Sequence, residues 1–413
     1  CLIVLQSNMK IAVKKFGGSS VGSPERIKNI AARLIEAKKQ FPNLVIVVSA
    51  MGDTTDNLVK LASEMSPNPC PREYDALIST GENVSAALLA MALNGSGTPA
   101  ISLTGLQAGI KTENIYNRAK IIKVEPSRIY DELSKGKIVI VTGFQGVNHI
   151  LDVTTIGRGG SDTSAVVLAS VIGASECDIC TDVDGVYTTD PRLVKNARKL
   201  DEISYDEMLE LASLGAKVLH PRSVECAKEN NIIIHVRSSF KDSEGTRVKE
   251  GSNLESHRPV TGITLNQEQA TLSILKVPDT PGVAGLIFSK LAEQNINVDM
   301  IVQSINENKM NDVTYTIDKI DLELAKKISQ TICDELNASG IEWDDNIAKL
   351  SVVGIGMVSK PGVAAKMFQV FGEHKINIKF ISTSEIKISC VINKEDAKPA
   401  LQYLHDAFEL DKH

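Results

Sequence analysis

Five stretches of this 413-residue chain combine glycine, hydroxyl and charge in a way suited to holding an anion. The first runs Lys14-Lys15-Phe16-Gly17-Gly18-Ser19-Ser20-Val21-Gly22, followed by Ser23-Pro24. Ser23 is a hydroxyl N-cap and Pro24 suits the first helical position, so a helix starts here. Glycines bring backbone N–H groups close to a ligand, a helix start adds a positive end, and a lysine adds formal charge. That is phosphate chemistry. The same ingredients recur in Ser49-Ala50-Met51-Gly52-Asp53-Thr54-Thr55-Asp56, in Ser79-Thr80-Gly81-Glu82 and in Gly157-Arg158-Gly159-Gly160-Ser161-Asp162. The last stretch is Thr181-Asp182-Val183-Asp184-Gly185-Val186-Tyr187, with Asp190-Pro191-Arg192 behind it. Taken singly, each also reads as a solvated turn. Neither a P-loop nor a dinucleotide fingerprint fits: Ser23 follows Gly22 without the P-loop lysine, and Asp162 stands where a small residue is needed.

The elements that must carry these loops are legible from periodicity. Ile11 and Val13 mark a buried strand that ends in the Gly-Gly turn, with Lys14 and Lys15 on opposite faces. Residues 44–49, 100–103, 138–142 and 232–236 read as further buried strands. Ile27, Ile30, Ala31 and Leu34 follow helical spacing, as do Leu77, Val84, Leu88 and Met91. Alternation of this kind predicts a mostly parallel α/β sheet sandwiched by helices, with ligands bound beyond the carboxyl ends of the strands.

The length calls for two or three domains. A net charge of −6 argues against nucleic acid as a partner, and a small anionic substrate then requires locally concentrated positive charge. No run of about 18 apolar residues is present, so no membrane span is expected. Seven cysteines without a framework suit a reducing, cytoplasmic setting. Cys177 and Cys180 form a C-x-x-C on a strand, where they point to opposite faces, and read as structural rather than as metal ligands. Residues 1–8 read as an expression-tag remnant. Residues 9–240 form the expected catalytic domain and the polar, turn-rich stretch 241–259 a linker.

Beyond residue 259 the chain repeats itself. Pro281-Gly282-Val283-Ala284 recurs as Pro361-Gly362-Val363-Ala364, and Ile296-Asn297-Val298 as Ile376-Asn377-Ile378. A shared offset across a strand–helix–strand length marks duplicated modules, here 260–346 and 347–413. Each reads as a ferredoxin-like βαββαβ unit. The second lacks room for a closing strand, so one module is expected to borrow a strand from residues 260–265.

In order, Lys15-Phe16-Gly17-Gly18-Ser19-Ser20, Ser49-Ala50-Met51-Gly52-Asp53, Gly157 to Asp162, Thr181 to Tyr187 and Gly215-Ala216-Lys217-Val218-Leu219-His220-Pro221 resemble the motifs of aspartokinases. The repeats resemble the ACT modules that follow the kinase domain in that family. The resemblance covers nearly the whole chain and is closest to the monofunctional members. It implies the amino-acid-kinase fold and transfer of the ATP γ-phosphoryl group to the side-chain carboxylate of L-aspartate. That is the first step of lysine, threonine and methionine biosynthesis. A substrate carboxylate is already ionised at neutral pH, so no general base is needed, in keeping with the absence of an outstanding histidine.

By the same resemblance, Lys15, Asp162 and Lys217 are the catalytic residues. Lys15, Phe16, Gly17, Gly18, Thr181, Asp182, Tyr187, Arg192 and Lys217 bind nucleotide, with the Gly17 and Gly18 N–H groups assisting Lys15. Ser49, Thr55, Glu82, Arg158, Gly159, Gly160 and Ser161 bind aspartate, with Arg158 on the α-carboxylate and Glu82 on the ammonium. Mg²⁺ is implied, held mainly by ATP. Lysine or threonine is the implied effector, with Asp279, Gly282, Asn297, Gln303, Gly362, Asn377, Ser382 and Thr383 as candidate contacts. Ser359 and Ser384 lie beside them. Module pairing implies a homo-oligomer. A kinase of the same fold acting on another acid and an inactive amino-acid sensor are the competing readings. Lys14→Ala is the expected control for Lys15→Ala.

Overall fold

The computed structural model describes residues 10–215, 218–251, 258–305, 310–357 and 360–412. The chain divides into two compact units, one containing Thr188–Arg198 with the chain beyond residue 255, the other containing the rest.

The first unit is built on an eight-stranded sheet. Its order is Glu202–Ser204, Thr246–Lys249, Ile233–Ser238, Glu176–Thr181, Ile11–Phe16, Asn43–Val48, Ile138–Thr142, Ala100–Leu103. The six strands from Ile233–Ser238 onward are parallel; Thr246–Lys249 runs against Ile233–Ser238 and alongside Glu202–Ser204. Central strands of such a sheet are covered on both faces, which is why Leu44 to Val48 are all fully buried. The Pro24–Gln40 helix follows the first strand. Ser23 caps it by accepting the Arg26 N–H at 3.2 Å, and Ile27, Ile30, Ala31 and Leu34 form its buried stripe. A small sheet, Ile121–Val124, Ile110–Thr112, Gln145–Val147, Val153–Thr155, stands beside the main one.

Three sequence expectations are corrected here. The 241–259 stretch is not wholly a linker, because Thr246–Lys249 joins the main sheet. Buried Thr246 and Val248 alternate with the more open Arg247 and Lys249, a signal too short to register against polar surroundings. Residues 188–198 leave the catalytic unit: fully buried Val194 packs among Val260, Ile263 and Leu401 in the second. The Thr80–Gly95 helix buries Ala86, Leu89, Ala90 and Leu93, whereas Val84 and Met91 are 50% and 67% exposed. That helix is apolar on most of its circumference, so period alone could not choose the inward face. Alanines allow close approach to the sheet. Among the described residues, Pro71–Gly95 is the one stretch long and apolar enough to cross a membrane by composition; here it breaks at Ser79 and is half buried in protein.

The second unit contains both repeats. Gln269–Pro278, Val283–Glu293, Val298–Ile305, Met310–Asp318, Leu322–Leu336 and Gly340–Asp344 make a complete βαββαβ module. Its sheet order is second, third, first, fourth strand. The other module has Ile347–Val353, Lys387–Asn393 and Ile378–Thr383 in the same arrangement. Its fourth position is filled by Gly262–Asn266, antiparallel to Ile347–Val353. Sequence order and sheet membership thus part company at residue 262.

One polar cluster lies within the main sheet. Lys14 forms an ion pair with Asp178, whose other oxygen is 3.3 Å from His235 Nδ1; Glu176 is 3.0 Å from the same nitrogen. Burial opposes both charges. The His235 and Lys14 groups nonetheless pull Asp178 down to about 2, and Asp178, Glu176 and the Glu244 carbonyl raise His235 to about 9. Lys14 is therefore a partly buried structural residue and not a neutral control. Lys14→Ala should lower the unfolding free energy by about 3 kcal/mol, because Asp178 would be left short of a partner. In the wild type, the His235 contribution is complete below about pH 6.5 and lost as pH rises through about 9. Urea midpoints measured from roughly pH 6 to 10 check both statements, and a midpoint that Lys14→Ala leaves unmoved would contradict the first.

Candidate active site

The Ile11–Phe16 strand ends where its parallel neighbours end, and the chain turns over their carboxyl edge. The Gly17 N–H donates to the Cys180 carbonyl at 3.3 Å, and the Ser49 N–H donates to the Phe16 carbonyl at 3.1 Å. The Gly52 N–H reaches the Gly18 carbonyl at 3.1 Å. Gly18 is required by this approach: a Cβ there would stand 2.9 Å from the Ala50 carbonyl oxygen. Among the described residues, the N–H groups of Gly18 and Ser19 meet no acceptor. The Gly17 N–H is occupied, which corrects its expected role as a phosphate donor. Phe16 is 3% exposed and packs in the core, so only its backbone belongs to this turn.

A cleft of about 710 Å³ opens above this edge. Lys15, Gly18, Ser49, Thr55, Glu82, Arg158, Gly159, Gly160, Ser161 and Asp162 all line it. Every residue expected to bind aspartate is thus brought into one space by loops from distant parts of the chain. Lys15 is 9% exposed, and its Nζ lies 2.6 Å from Asp162 Oδ1. Asp162 sits in the first turn of the Gly160–Val171 helix, where the helix end favours a carboxylate. Arg158 is exposed to the cleft and has no ion-pair partner among the described residues.

Glu82 is the most unusual group. It is 3% exposed; Oε1 accepts the Ala50 N–H at 3.1 Å, while Oε2 has no hydrogen-bond partner among the described residues. Desolvation raises its pKa to about 7, against the smaller opposing effect of the backbone N–H groups. A buried carboxylate with one unpartnered oxygen, on a residue that lines the cleft, is chemically suited to a cation.

Other expected residues lie elsewhere. Thr181 ends its strand opposite Ser238, with its hydroxyl on Asp182 at 3.1 Å, and the Tyr187 hydroxyl donates to Asp184 at 2.8 Å. Neither they nor Asp182 line the cleft. Arg192 folds with the second unit, its guanidinium on Asp190 at 2.7 Å. Lys217 lies outside the described residues, as does Ser359. Cys177 and Cys180 are buried free thiols, and burial pushes Cys180 up to about 12 and Cys177 upward as well.

Sequence reasoning missed part of the wall. Asp56, Tyr74, Asn117, Phe144 and Thr155 also line the cleft. His220 backs it: Gly159 has φ +70°, and a Cβ there would come within 2.2 Å of the His220 side chain. Asn117 and Phe144, at φ +67°, carried no glycine or charge signal that could have marked them.

A model of the amino acid kinase family matches residues 10–238, and an ACT domain model matches 275–329 and 350–408. An aspartokinase from Bacillus sp. (strain MGA3) is 50% identical over 402 residues, covering 97% of this chain and 98% of the relative. The chain belongs to the aspartokinase family. Solved structures agree at lower identity. E. coli aspartokinase III in complex with aspartate and ADP, in its R-state, superimposes with TM-score 0.77 at 26% identity over 96% of this chain and 99% of that one. The same enzyme in complex with lysine and aspartate, in its T-state, gives 0.75 at 26% over the same shares. Within an aspartokinase, the cleft around Lys15 and Glu82 is the natural candidate for the reacting site.

The carboxyl of Glu82 should titrate at about 7 in the ligand-free protein, readable by carbon NMR of labelled glutamate. Its native pKa lies above the ordinary 4.5, so the native state holds the extra proton between those values and loses stability as pH rises through about 7. Glu82→Gln should flatten that decline; a Glu82 signal titrating near 4.5 would overturn the assignment.

Proposed function

We propose that this cleft transfers the γ-phosphoryl group of ATP to the side-chain carboxylate of L-aspartate, giving 4-phospho-L-aspartate and ADP. The observation that carries the proposal is the pairing, in one cleft, of an unengaged Arg158 guanidinium with the half-empty Glu82 carboxylate. Together they suit the α-carboxylate and α-ammonium of a free amino acid, bound head first. Ser49, Thr55 and Ser161 offer hydroxyls to the rest of the substrate.

The substrate's side-chain oxygen attacks the γ-phosphorus. The bond to the β,γ-bridging oxygen breaks, and ADP leaves with that electron pair. The nucleophile is already an anion, so the protein's work is positioning and charge. Lys15 neutralises negative charge on the transferring group, and the Gly18 and Ser19 N–H groups add dipoles at the same turn. Asp162 holds the Lys15 ammonium in place. Lys217, Thr181, Asp182 and Tyr187 are proposed nucleotide contacts on the strength of the family resemblance. A Mg²⁺ ion would neutralise phosphate charge. The described metal-type donor cluster, Glu176, Asp178 and His235, is filled by Lys14, and Asp162 is taken by Lys15. ATP oxygens are therefore its proposed main ligands.

We propose that the repeats carry feedback regulation by lysine or threonine. Gly282 and Gly362 open their helices at φ +97° and +105°, and Asp279 holds Asn311 at 3.0 Å beside the first of these turns. Asn297 and Gln303, on or beside Val298–Ile305, and Asn377, Ser382 and Thr383, on or beside Ile378–Thr383, belong to the free edges of the two sheets. Free edges suit pairing with a second copy, and hence a homo-oligomer.

Trapping acyl phosphate with hydroxylamine, with Mg-ATP and a panel of acids, tests the reaction. Hydroxamate is expected from aspartate; hydroxamate from another acid only would overturn the substrate, and none from any acid would favour a sensor. In the same assay Lys15→Ala should lower kcat by roughly 10²-fold or more with little change in the KM for aspartate. A variant defective only in that KM would refute its role. Titrating lysine and threonine, singly and together, should reveal a coupling of about 1–3 kcal/mol; an unchanged rate throughout would remove the regulatory proposal.

A further inference from the structure

Two charged side chains grip the backbone beside Arg158. Asp75, on the Pro71–Ile78 helix, is fully buried. Its Oδ2 accepts the N–H groups of Thr155 at 2.8 Å and Asn117 at 2.9 Å, and its Oδ1 accepts the Thr155 hydroxyl at 2.7 Å. Arg222, in the first turn of the Pro221–Asn230 helix, donates to the Ile156 carbonyl at 2.5 Å and to the Ala119 carbonyl at 3.3 Å. The carboxylate takes N–H groups and the guanidinium supplies them, at neighbouring residues of the same two segments. Those segments are also joined directly, by the Ala119 N–H on the Thr155 carbonyl at 2.9 Å.

The next residues form the turn that carries Arg158. Gly157 has φ +83°, and a Cβ on it would stand 2.9 Å from the Asn117 carbonyl oxygen. The Gly160 N–H closes the turn on the Gly157 carbonyl at 2.9 Å. Arg158 has no side-chain partner among the described residues, so this backbone is what aims its guanidinium. Asp75 and Arg222 do not line the cleft themselves.

We infer that Asp75 and Arg222 are positioning residues for aspartate recognition, clamping residues 117–119 and 155–156 so that Arg158 meets the substrate carboxylate. This rests on the role of Arg158 proposed above. The clamp needs both charges in their present form. Asparagine at position 75 keeps the shape but offers one acceptor oxygen where two are used. Lysine at position 222 is a point donor that cannot span two carbonyls as a guanidinium fork does.

The test is steady-state kinetics on Asp75→Asn, Arg222→Lys, Arg158→Ala and the double variants, with near-UV circular dichroism and melting temperature as checks on folding. Each clamp variant should raise the KM for aspartate by about 10- to 100-fold, the cost of a misaimed contact, with kcat and the KM for ATP little changed. In the Arg158→Ala background neither clamp change should raise it further, because residues acting through one contact are not additive. Additive effects, or a parallel loss of kcat and both KM values, would overturn the inference in favour of a general structural role. Should Arg222→Lys not fold, Arg222→Gln and Asp75→Asn carry the same comparison. An aspartate KM unmoved by Arg158→Ala would sink the proposed role of Arg158. A KM raised by Arg158→Ala but by neither clamp variant would sink the clamp alone.

Discussion

The contact between Lys15 and Asp162 is the constraint around which the catalytic unit is arranged. It ties the end of the first strand to the first turn of a helix nearly 150 positions later in the chain. A lysine left alone against a glycine turn would be free to swing away. A lysine paired too well would be withdrawn from an anion. Here one carboxylate holds it, and the remaining donors at the turn, the Gly18 and Ser19 N–H groups, have no acceptor of their own. The result is positive charge held ready in an otherwise acidic protein.

Around that contact the cleft separates two kinds of electrostatic work. On the proposed phosphoryl side are a cation and open amides. On the proposed amino-acid side are Arg158 and Glu82, the first exposed and unengaged, the second buried and with one oxygen unpartnered. An unpartnered carboxylate oxygen in a low-dielectric wall is costly, and the proposed substrate ammonium would supply what is missing. The Glu176, Asp178 and His235 cluster illustrates the opposite outcome. Its charges neutralise one another within the sheet and serve stability.

The second unit shows how far chain order can depart from spatial order. Gly262–Asn266 precedes the first repeat yet completes the sheet of the second, while the first closes on its own Gly340–Asp344 strand. Thr188–Arg198, although enclosed on both sides by catalytic sequence, buries Val194 in the core of that same second module. The first departure follows from a sheet edge, where a strand is stabilised wherever backbone partners are available, and the second from burial of an apolar side chain, both irrespective of neighbours in sequence.

Local chemistry was legible in the sequence. Glycine-hydroxyl loops after apolar strands, the Ser23-Pro24 helix start, the βαβ alternation and the duplicated modules depend on residue types at short range, and they determined fold class and most of the cleft wall. Long-range facts were not legible. Which face of the Thr80–Gly95 helix points inward, that Thr246–Lys249 enters the sheet, and that Lys14 is locked to Asp178 depend on what the rest of the chain brings alongside. The same holds for the half-empty state of Glu82 and the grip of Asp75 and Arg222 on the Arg158 turn. A sequence specifies which groups can donate, accept or carry charge; only the tertiary structure decides which of them are satisfied internally and which are left for a ligand.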